Sequence, residues 1–137
     1  MNQLDLSVVV CTYNRAKALG EMLESLATQR RIEDLRYEVL VVGDGCTDDT
    51  ADVVDGFRSS MPIRFVNVPH GGKSAALNRG CREARGELIV FLDDDVVVEE
   101  RWLRALWDAS VRRTDMVPVR LRARIALSVS CAGAIVG

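Results

Sequence analysis

Residues 87–103 read "ELIVFLDDDVVVEERWL". A short apolar run, Leu88 to Leu92, ends in three consecutive aspartates, Asp93, Asp94 and Asp95. A continuous apolar run of this length, bounded by polar residues, reads as a strand buried on both faces. Three like charges at its end repel one another, so the cluster needs a reason. It holds a metal or ligand, caps a helix, or faces water. Capping accounts for one of the three, most easily Asp95. An oxygen-only cluster suits Mg²⁺ or Mn²⁺ and accounts for all three.

The same pattern recurs upstream. "LSVVVC" (6–11), "YEVLVV" (37–42) and "IRFVNV" (63–68) are further buried strands. Helical periods separate them. In "TYNRAKALGEMLESLATQ" (12–29), Leu19, Met22, Leu23 and Leu26 share one face, and Asn14 is the expected N-cap. "GDGCTDDT" (43–50) is a turn whose Asp48 is expected to cap a helix over 50–58, with Val54 and Phe57 inward. "GGKSAALNRGCREARG" (71–86) predicts a helix with Leu77, Cys81 and Ala84 on one side and Gly86 as its stop. "EERWLRALWDASVRR" (99–113) predicts another, with Leu103, Leu106 and Trp107 facing in.

Four β-α units with short connections predict an α/β fold, a mostly parallel sheet with helices on both faces and right-handed crossovers. Strand starts near 6, 37, 63 and 87 reflect unit size, not a sequence repeat. After residue 112 the pattern degrades. We therefore expect one α/β domain over 1–112 and an irregular or truncated segment over 113–137. A last strand is expected within "IALSVSCAGAIVG" (125–137).

Composition narrows the function classes. The 137 residues are 48% hydrophobic and 28% charged, a soluble globular profile. A formal net charge of −2 supplies no field to draw nucleic acid or an anionic membrane. Cys11, Cys46, Cys81 and Cys131 form no C-x-x-C pair, and His70 is the sole histidine, which argues against zinc. "MNQLDLSVVV" has neither a basic n-region nor a cleavage site, so reduced thiols and a cytoplasmic setting are expected. No apolar run reaches the length of a membrane span.

In an open parallel sheet, ligands bind at the carboxyl ends of the strands. Here those exits are "CTYN" (11–14), "GDGCTDD" (43–49), "PHGGK" (69–73) and "DDD" (93–95), all polar or glycine-rich and all expected on one edge. Each has a plain reading beside the functional one. Thr12 and Asn14 can simply start a helix, and Asp44 and Asp48 can serve a turn and a cap. His70 reads as an ordinary loop residue, and Lys73 as a surface charge or an anion contact. "GGKS" imitates a P-loop, but the first glycine of G-x-x-x-x-G-K-[ST] falls on Asn67, inside the third strand. "LIVFLDD" imitates a Walker B strand, and "GDGCTD" departs from G-x-G-x-x-G at Asp48.

Taken together, "VVVCTYNRAKALGEMLESLATQ", "YEVLVVGDGCTDDT", "GGKSAALNRGCREARGELIVFLDDDV" and "RWL" resemble the N-terminal half of a family 2 glycosyltransferase, in order and spacing, over residues 6 to about 107. The resemblance implies a GT-A fold: a Rossmann-like nucleotide-binding half, here truncated before the acceptor half. It implies inverting transfer of a sugar from a nucleotide-diphosphate sugar to an acceptor hydroxyl. By the same resemblance Thr12, Tyr13, Arg15 and Asp44 surround the nucleoside, and Lys73 and Asn78 lie near the donor. The D-x-D motif falls on Asp93, toward the ribose, and Asp95, the ligand of Mn²⁺ or Mg²⁺. Asp94 is its middle residue, with an open role beside the donor.

Four positions depart from the family pattern: Gly43 and Cys46 replace an aspartate and a serine, Cys11 a proline and His70 an asparagine. No general base is recognisable after Trp107, and neither Asp108 nor Asp115 recommends itself. The competing expectation is a nucleotide-sugar-binding fragment without turnover. A nucleotidyltransferase-like enzyme would need a glycine- and arginine-rich N-terminal loop, which "CTYNRAKALG" matches poorly. The expected partners are the donor and an unidentified acceptor, without nucleic acid. Self-association at an open sheet edge, or peripheral contact at the inner face of the membrane, completes the expectation.

Overall fold

The computed structural model describes residues 4–114, 125–129 and 135–136, with side chains for residues 4–111. In chain order the elements are β1 (Leu4–Thr12), α1 (Ala16–Ala27), β2 (Tyr37–Asp44), α2 (Thr50–Asp55), β3 (Ile63–Val68), α3 (Lys73–Glu83), β4 (Gly86–Asp93), α4 (Trp102–Thr114), β5 (Ile125–Val129) and β6 (Ile135–Val136). The sheet order is β3-β2-β1-β4-β5-β6. Neighbours run parallel except β5 and β6, which are antiparallel. This is the mostly parallel α/β fold that the alternation predicts.

β1 lies centrally because it has no polar face to show water. Leu6, Val8, Val9 and Val10 are all fully buried. Its side chains divide between two cores by the two-residue period of a strand. Leu6, Val8 and Val10 join Val39, Val41, Leu88, Val90 and Leu92 under Leu19, Met22, Leu23 and Leu26 of α1 and Leu103 and Leu106 of α4. Val9 joins Leu40, Val42 and Ile89 on the other face, beneath Ala76 of α3 and Ala84. Burial of each large aliphatic side chain contributes about 1.5–3 kcal/mol before entropy is counted.

α3 seats itself by small residues. Its buried positions are Ala76 and Gly80, whereas Leu77 and Cys81, expected to face in, are only half-buried. A Cβ at Gly80 would stand 2.5 Å from Val9 Cγ1, so this helix lies too close to β1 for any side chain there. Gly86 does not stop α3; it opens β4, where a Cβ would meet the Ser7 amide nitrogen at 2.5 Å. α2 ends at Asp55, short of the expected 58, and α4 starts at Trp102, so Asp95 does not cap it. Within 125–137, where a last strand is expected, β5 forms and a short β6 follows, and both extend the sheet. Of the segment expected as irregular, residues 115–124, 130–134 and 137, Asp115 and Cys131 among them, lie outside the described residues. Among the described residues no helix is long and apolar enough to cross a membrane.

Candidate functional site

Strand register brings the exits together. Thr12 pairs with Gly43 across β1–β2, Cys11 with Asp93 across β1–β4, and Asp44 with Val68 across β2–β3. The exits of β3, β2, β1 and β4 therefore lie side by side on one edge, in that order. Hydrogen bonds then tie each to its neighbours.

Asp94 ties β4 to β1. It is buried, 6% exposed, and accepts from Thr12 Oγ1 at 2.9 Å and from Arg15 Nη1 at 3.1 Å. Burial pushes its carboxyl above the usual carboxylate range; the Thr12 hydrogen bond and the Arg15 charge offset only part of that. The flanking acids differ. Asp93 is approached by Lys73 Nζ at 3.4 Å, and Asp95, exposed, by Arg15 Nη2 at 3.7 Å. The triplet thus has one carboxylate turned into the protein and two near its surface.

The β1 and β2 exits interlock through Asn14. Expected as a helix cap, Asn14 instead sits at φ 50°, one residue before Arg15, the true N-cap of α1. Its Oδ1 accepts from the amides of Thr47 at 2.8 Å and Asp48 at 3.3 Å. Asparagine tolerates this left-handed backbone better than most residues. Asp48 serves two helices at once: it accepts from the Thr50 amide and hydroxyl at the start of α2 and from the Ala16 amide at the start of α1. Those hydrogen bonds, the Thr50 hydroxyl foremost, lower the Asp48 carboxyl from its usual range.

Asp44 ties β2 to the β3–α3 loop. It is 6% exposed. Its Oδ1 accepts from the amides of Gly71 at 2.8 Å and Gly72 at 3.2 Å, and His70 Nδ1 stands 3.1 Å from its Oδ2. The glycine-rich turn before Lys73 does bind an anion, but that anion is the protein's own carboxylate. This is why "GGKS" cannot work as a phosphate cradle here. Beside it, Asn67 accepts from the Cys46 amide at 2.9 Å and donates to the Cys46 carbonyl at 3.1 Å. A Cβ on Gly43 would stand 2.7 Å from Asn67 Oδ1 and 3.1 Å from Cys46 Sγ. The volume of the missing aspartate at 43 is thus taken by Asn67 and Cys46. The sequence shows both residues as departures from known patterns but not their pairing, which spans 21 residues.

The remaining expected residues are open to solvent. Tyr13 is 48% exposed, and its ring packs against that of His70 at a centroid separation of 4.6 Å, tilted 31°. Asn78 is exposed on α3, one turn beyond Lys73. Next to Lys73 and Asp93 a pocket of about 260 Å³ opens onto the α3 face, floored by Cys11, Leu77, Phe91 and Leu92. Burial pushes the Cys11 thiol up to about 11, so it is a packed thiol rather than a nucleophile at neutral pH.

Among the described residues no three His, Cys, Asp or Glu side chains converge as a self-sufficient metal site. Asp93 and Asp95 still fit a hard cation that takes most of its ligands from a diphosphate and water, since Mg²⁺ needs only one or two protein carboxylates there. A mostly parallel sheet whose polar exits close on an acidic triplet has the architecture of a GT-A glycosyltransferase domain. Residues 7–129 match the model for Glycosyl transferase family 2, and the chain belongs to that family.

Its relatives agree. It is 35% identical over 109 residues to the succinoglycan biosynthesis protein ExoM of Rhizobium meliloti, covering 78% of this chain and 35% of that protein. It is 40% identical over 100 residues to a dolichyl-phosphate beta-glucosyltransferase of Trichomonas vaginalis, covering 68% and 31%. Among solved structures it superposes on S. aureus TarS in complex with UDP with TM-score 0.73 and 29% identity, covering 82% of this chain and 33% of that one. On the mannosyltransferase PcManGT of Pyrobaculum calidifontis, in complex with GDP-Man and Mn²⁺, the values are 0.67, 30%, 79% and 32%. The chain spans about a third of the length of these relatives.

Proposed function

We propose that this chain forms the donor-binding part of an inverting, metal-dependent glycosyltransferase. A nucleotide-diphosphate sugar lies along the edge of the sheet, nucleoside toward Thr12 and Tyr13 and diphosphate toward the acidic triplet. The observation that carries this reading is the split within Asp93–Asp95. A buried Asp94 latched to Thr12 and Arg15 leaves its two neighbours at the surface. Those two carboxylates, 3.4 Å from Lys73 Nζ and 3.7 Å from Arg15 Nη2, lie where a diphosphate-bound cation could reach them.

In this reading Asp95 ligates Mn²⁺ or Mg²⁺, and Asp93 faces the ribose side. When bound, the cation supplies Lewis-acid stabilisation of the charge that grows on the departing nucleoside diphosphate. Lys73, 69% exposed at the start of α3, stands ready to exchange Asp93 for a phosphate oxygen. Arg15 and Asp94 hold the acidic turn in place, Asp44 fixes the loop that carries Lys73, and Asn78 lies near the donor. Transfer breaks the bond from the anomeric carbon to the diphosphate and forms one to the acceptor oxygen, with inversion. The acceptor proton must leave to a base.

Nothing among the described residues after Asp95 offers that base. Asp108 pairs with Arg104 at 3.1 Å, Glu100 with Arg30 at 3.2 Å, and Glu99 accepts from the Arg101 amide at 2.9 Å. This favours a second reading, a nucleotide-sugar-binding chain without turnover of its own. Donor cleavage separates the two: release of nucleoside diphosphate from a donor sugar supports the enzyme, and tight binding without release supports the binding chain.

Calorimetric titration of UDP, GDP and dTDP, with and without Mn²⁺, tests what both readings share. Mn²⁺ should strengthen binding of at least one nucleotide tenfold or more, and Asp95→Ala should remove that gain. Metal-independent binding unchanged by the substitution would sink the assignment.

A further inference from the structure

Residues 94–101 join β4 to α4 without regular structure, and Asp95 is the second of them. A connection of this kind is mobile unless it is tied. Its site end is tied by Asp94 to Thr12 and to Arg15, the N-cap of α1. Its other end is tied to the far end of the same helix. The Val98 amide donates to Ser25 Oγ at 3.2 Å. Gln29, just past the end of α1, donates from Nε2 to the Glu99 carbonyl at 2.7 Å and accepts at Oε1 from the Leu103 amide at 2.8 Å. The Arg30 amide donates to the Glu100 carbonyl at 2.8 Å. Ser25 and Gln29 are both buried, and Ser25 shares its face of α1 with Leu19, Met22, Leu23 and Leu26. An aliphatic side chain would serve helix packing better at such positions, because a buried polar group costs free energy unless it is bonded. What these two polar groups hold is the loop that carries Asp95.

We infer that Ser25 and Gln29 are positioning residues for Asp95, acting from the far end of α1 to hold its carboxylate where a diphosphate-bound cation meets it. The inference rests on the metal-dependent donor-binding reading above. Only Val96 and Val97 separate Asp95 from the tied Val98. Packing fixes their register. Val96 and Val98 pack on the core under α1 and α4, whereas Val97 is 67% exposed. A slip of one residue would turn Val97 in and its two neighbours out, and would carry Asp95 about 3.3 Å along the chain. Coordination of Mg²⁺ at about 2.0–2.1 Å, with near-ideal geometry, does not survive such a shift. The bonds to Ser25 and Gln29 oppose it, because each engages one particular backbone group. α1 thus meets the loop twice, with Arg15 at its start and Ser25 and Gln29 at its finish. Its 12 residues, about 18 Å of helix, keep those ties at a set separation.

Two variants cut these ties at a distance from the donor. Gln29→Met keeps the length of the side chain and loses both hydrogen bonds to the loop. Ser25→Ala is a smaller change that removes the acceptor of Val98, and it carries the test if Gln29→Met does not fold. Each is titrated calorimetrically with the nucleoside diphosphate that binds wild type best. The readout is the ratio of Kd without Mn²⁺ to Kd with it. That ratio should drop by about 3- to 10-fold in each variant, toward the low end of what outer partners of metal ligands give, while Kd without Mn²⁺ stays within about twofold of wild type. Glu38→Gln, a lesion buried at the opposite end of the strands from the site, should keep the wild-type ratio. An unaltered ratio in the folded variants, where Asp95→Ala abolishes the gain, overturns the inference. Equal loss of affinity with and without Mn²⁺ would mark a general support of the fold and also overturn it. So would a matching drop in Glu38→Gln, which would trace the effect to lost stability. Wild type whose Kd ignores Mn²⁺ would instead refute the metal reading beneath, and the inference with it.

Discussion

The three aspartates show how much one residue's burial decides. Asp94 has the same side chain as its neighbours, but its two oxygens take a buried hydroxyl and a guanidinium. Asp94→Ala leaves Thr12 Oγ1, on a residue only 3% exposed, without its acceptor. A buried group stripped of its partner costs about 1–3 kcal/mol. We expect that loss in urea denaturation of Asp94→Ala. Asp95→Ala should stay within about 0.5 kcal/mol of wild type, as exposed positions do. Equal losses would mean that the triplet acts as one structural unit. The sequence announces the triplet, since three acids after "LIVFL" are conspicuous. It does not say which of the three turns inward, because Thr12 lies 82 residues away. The same distance effect hid Asn14: its capping preference is real, but the donors it meets are those of Thr47 and Asp48, on another exit.

Elements are legible where their period is strong. α1 has its apolar face at the expected Leu19, Met22, Leu23 and Leu26. α3 was misread because its contact with the sheet is made by absence of side chain, and hydrophobic periodicity cannot register a glycine. Gly80→Val would drive a β-branched side chain into Val9 and should cost about 1–3 kcal/mol or more, as overpacking does. A thermal melt near wild type would show that α3 can lift from β1. At the opposite end of the strands from the site, Glu38 is 4% exposed. It accepts from Ser7 Oγ and the Arg85 amide, each at 2.7 Å, and from Arg64 at 2.9 Å. Burial pushes its carboxyl up, but Ser7, the Arg85 amide and Arg64 together bring it below its ordinary 4.5. A carboxyl lowered on folding stabilises the native state above its unfolded value, and this contribution fades as pH falls through the folded one. Urea midpoints should therefore drop below pH 4.5 more steeply for wild type than for Glu38→Gln. Parallel pH profiles would show that Glu38 adds nothing to acid sensitivity.

At the scale of the molecule, alternation of strand and helix was enough to predict the parallel sheet and to place four polar exits on one edge. The apolar run from Ile125 announces a last strand, and β5 falls there, but the two-residue β6 is too short to carry a periodic signal. Hydrogen bonds between exits were invisible for a general reason: each joins residues from different β-α units. Those bonds have a consequence for ligand binding. Asp94 to Thr12, Asn14 to Thr47, Asp44 to Gly71 and Asn67 to Cys46 hold the edge in one shape before any donor arrives. A preorganised site spends little binding free energy on ordering loops, which favours a low Kd, and ligand that binds only the folded chain stabilises the fold by mass action. At a nucleotide concentration 100 times Kd, mass action adds about 2.7 kcal/mol. For a domain of this size that is a rise of roughly 8–13 °C in melting temperature. Calorimetric melting with Mn²⁺ and the best-binding nucleoside diphosphate measures it. Asp95→Ala, tested at the same nucleotide and Mn²⁺ concentrations, should rise by about half as much or less, because a tenfold loss of affinity leaves only about 1.4 kcal/mol of the mass-action term. A rise in wild type much smaller than the calorimetric Kd requires would mean that the unfolded chain also binds the ligand. A full rise in Asp95→Ala would place the metal elsewhere on the edge.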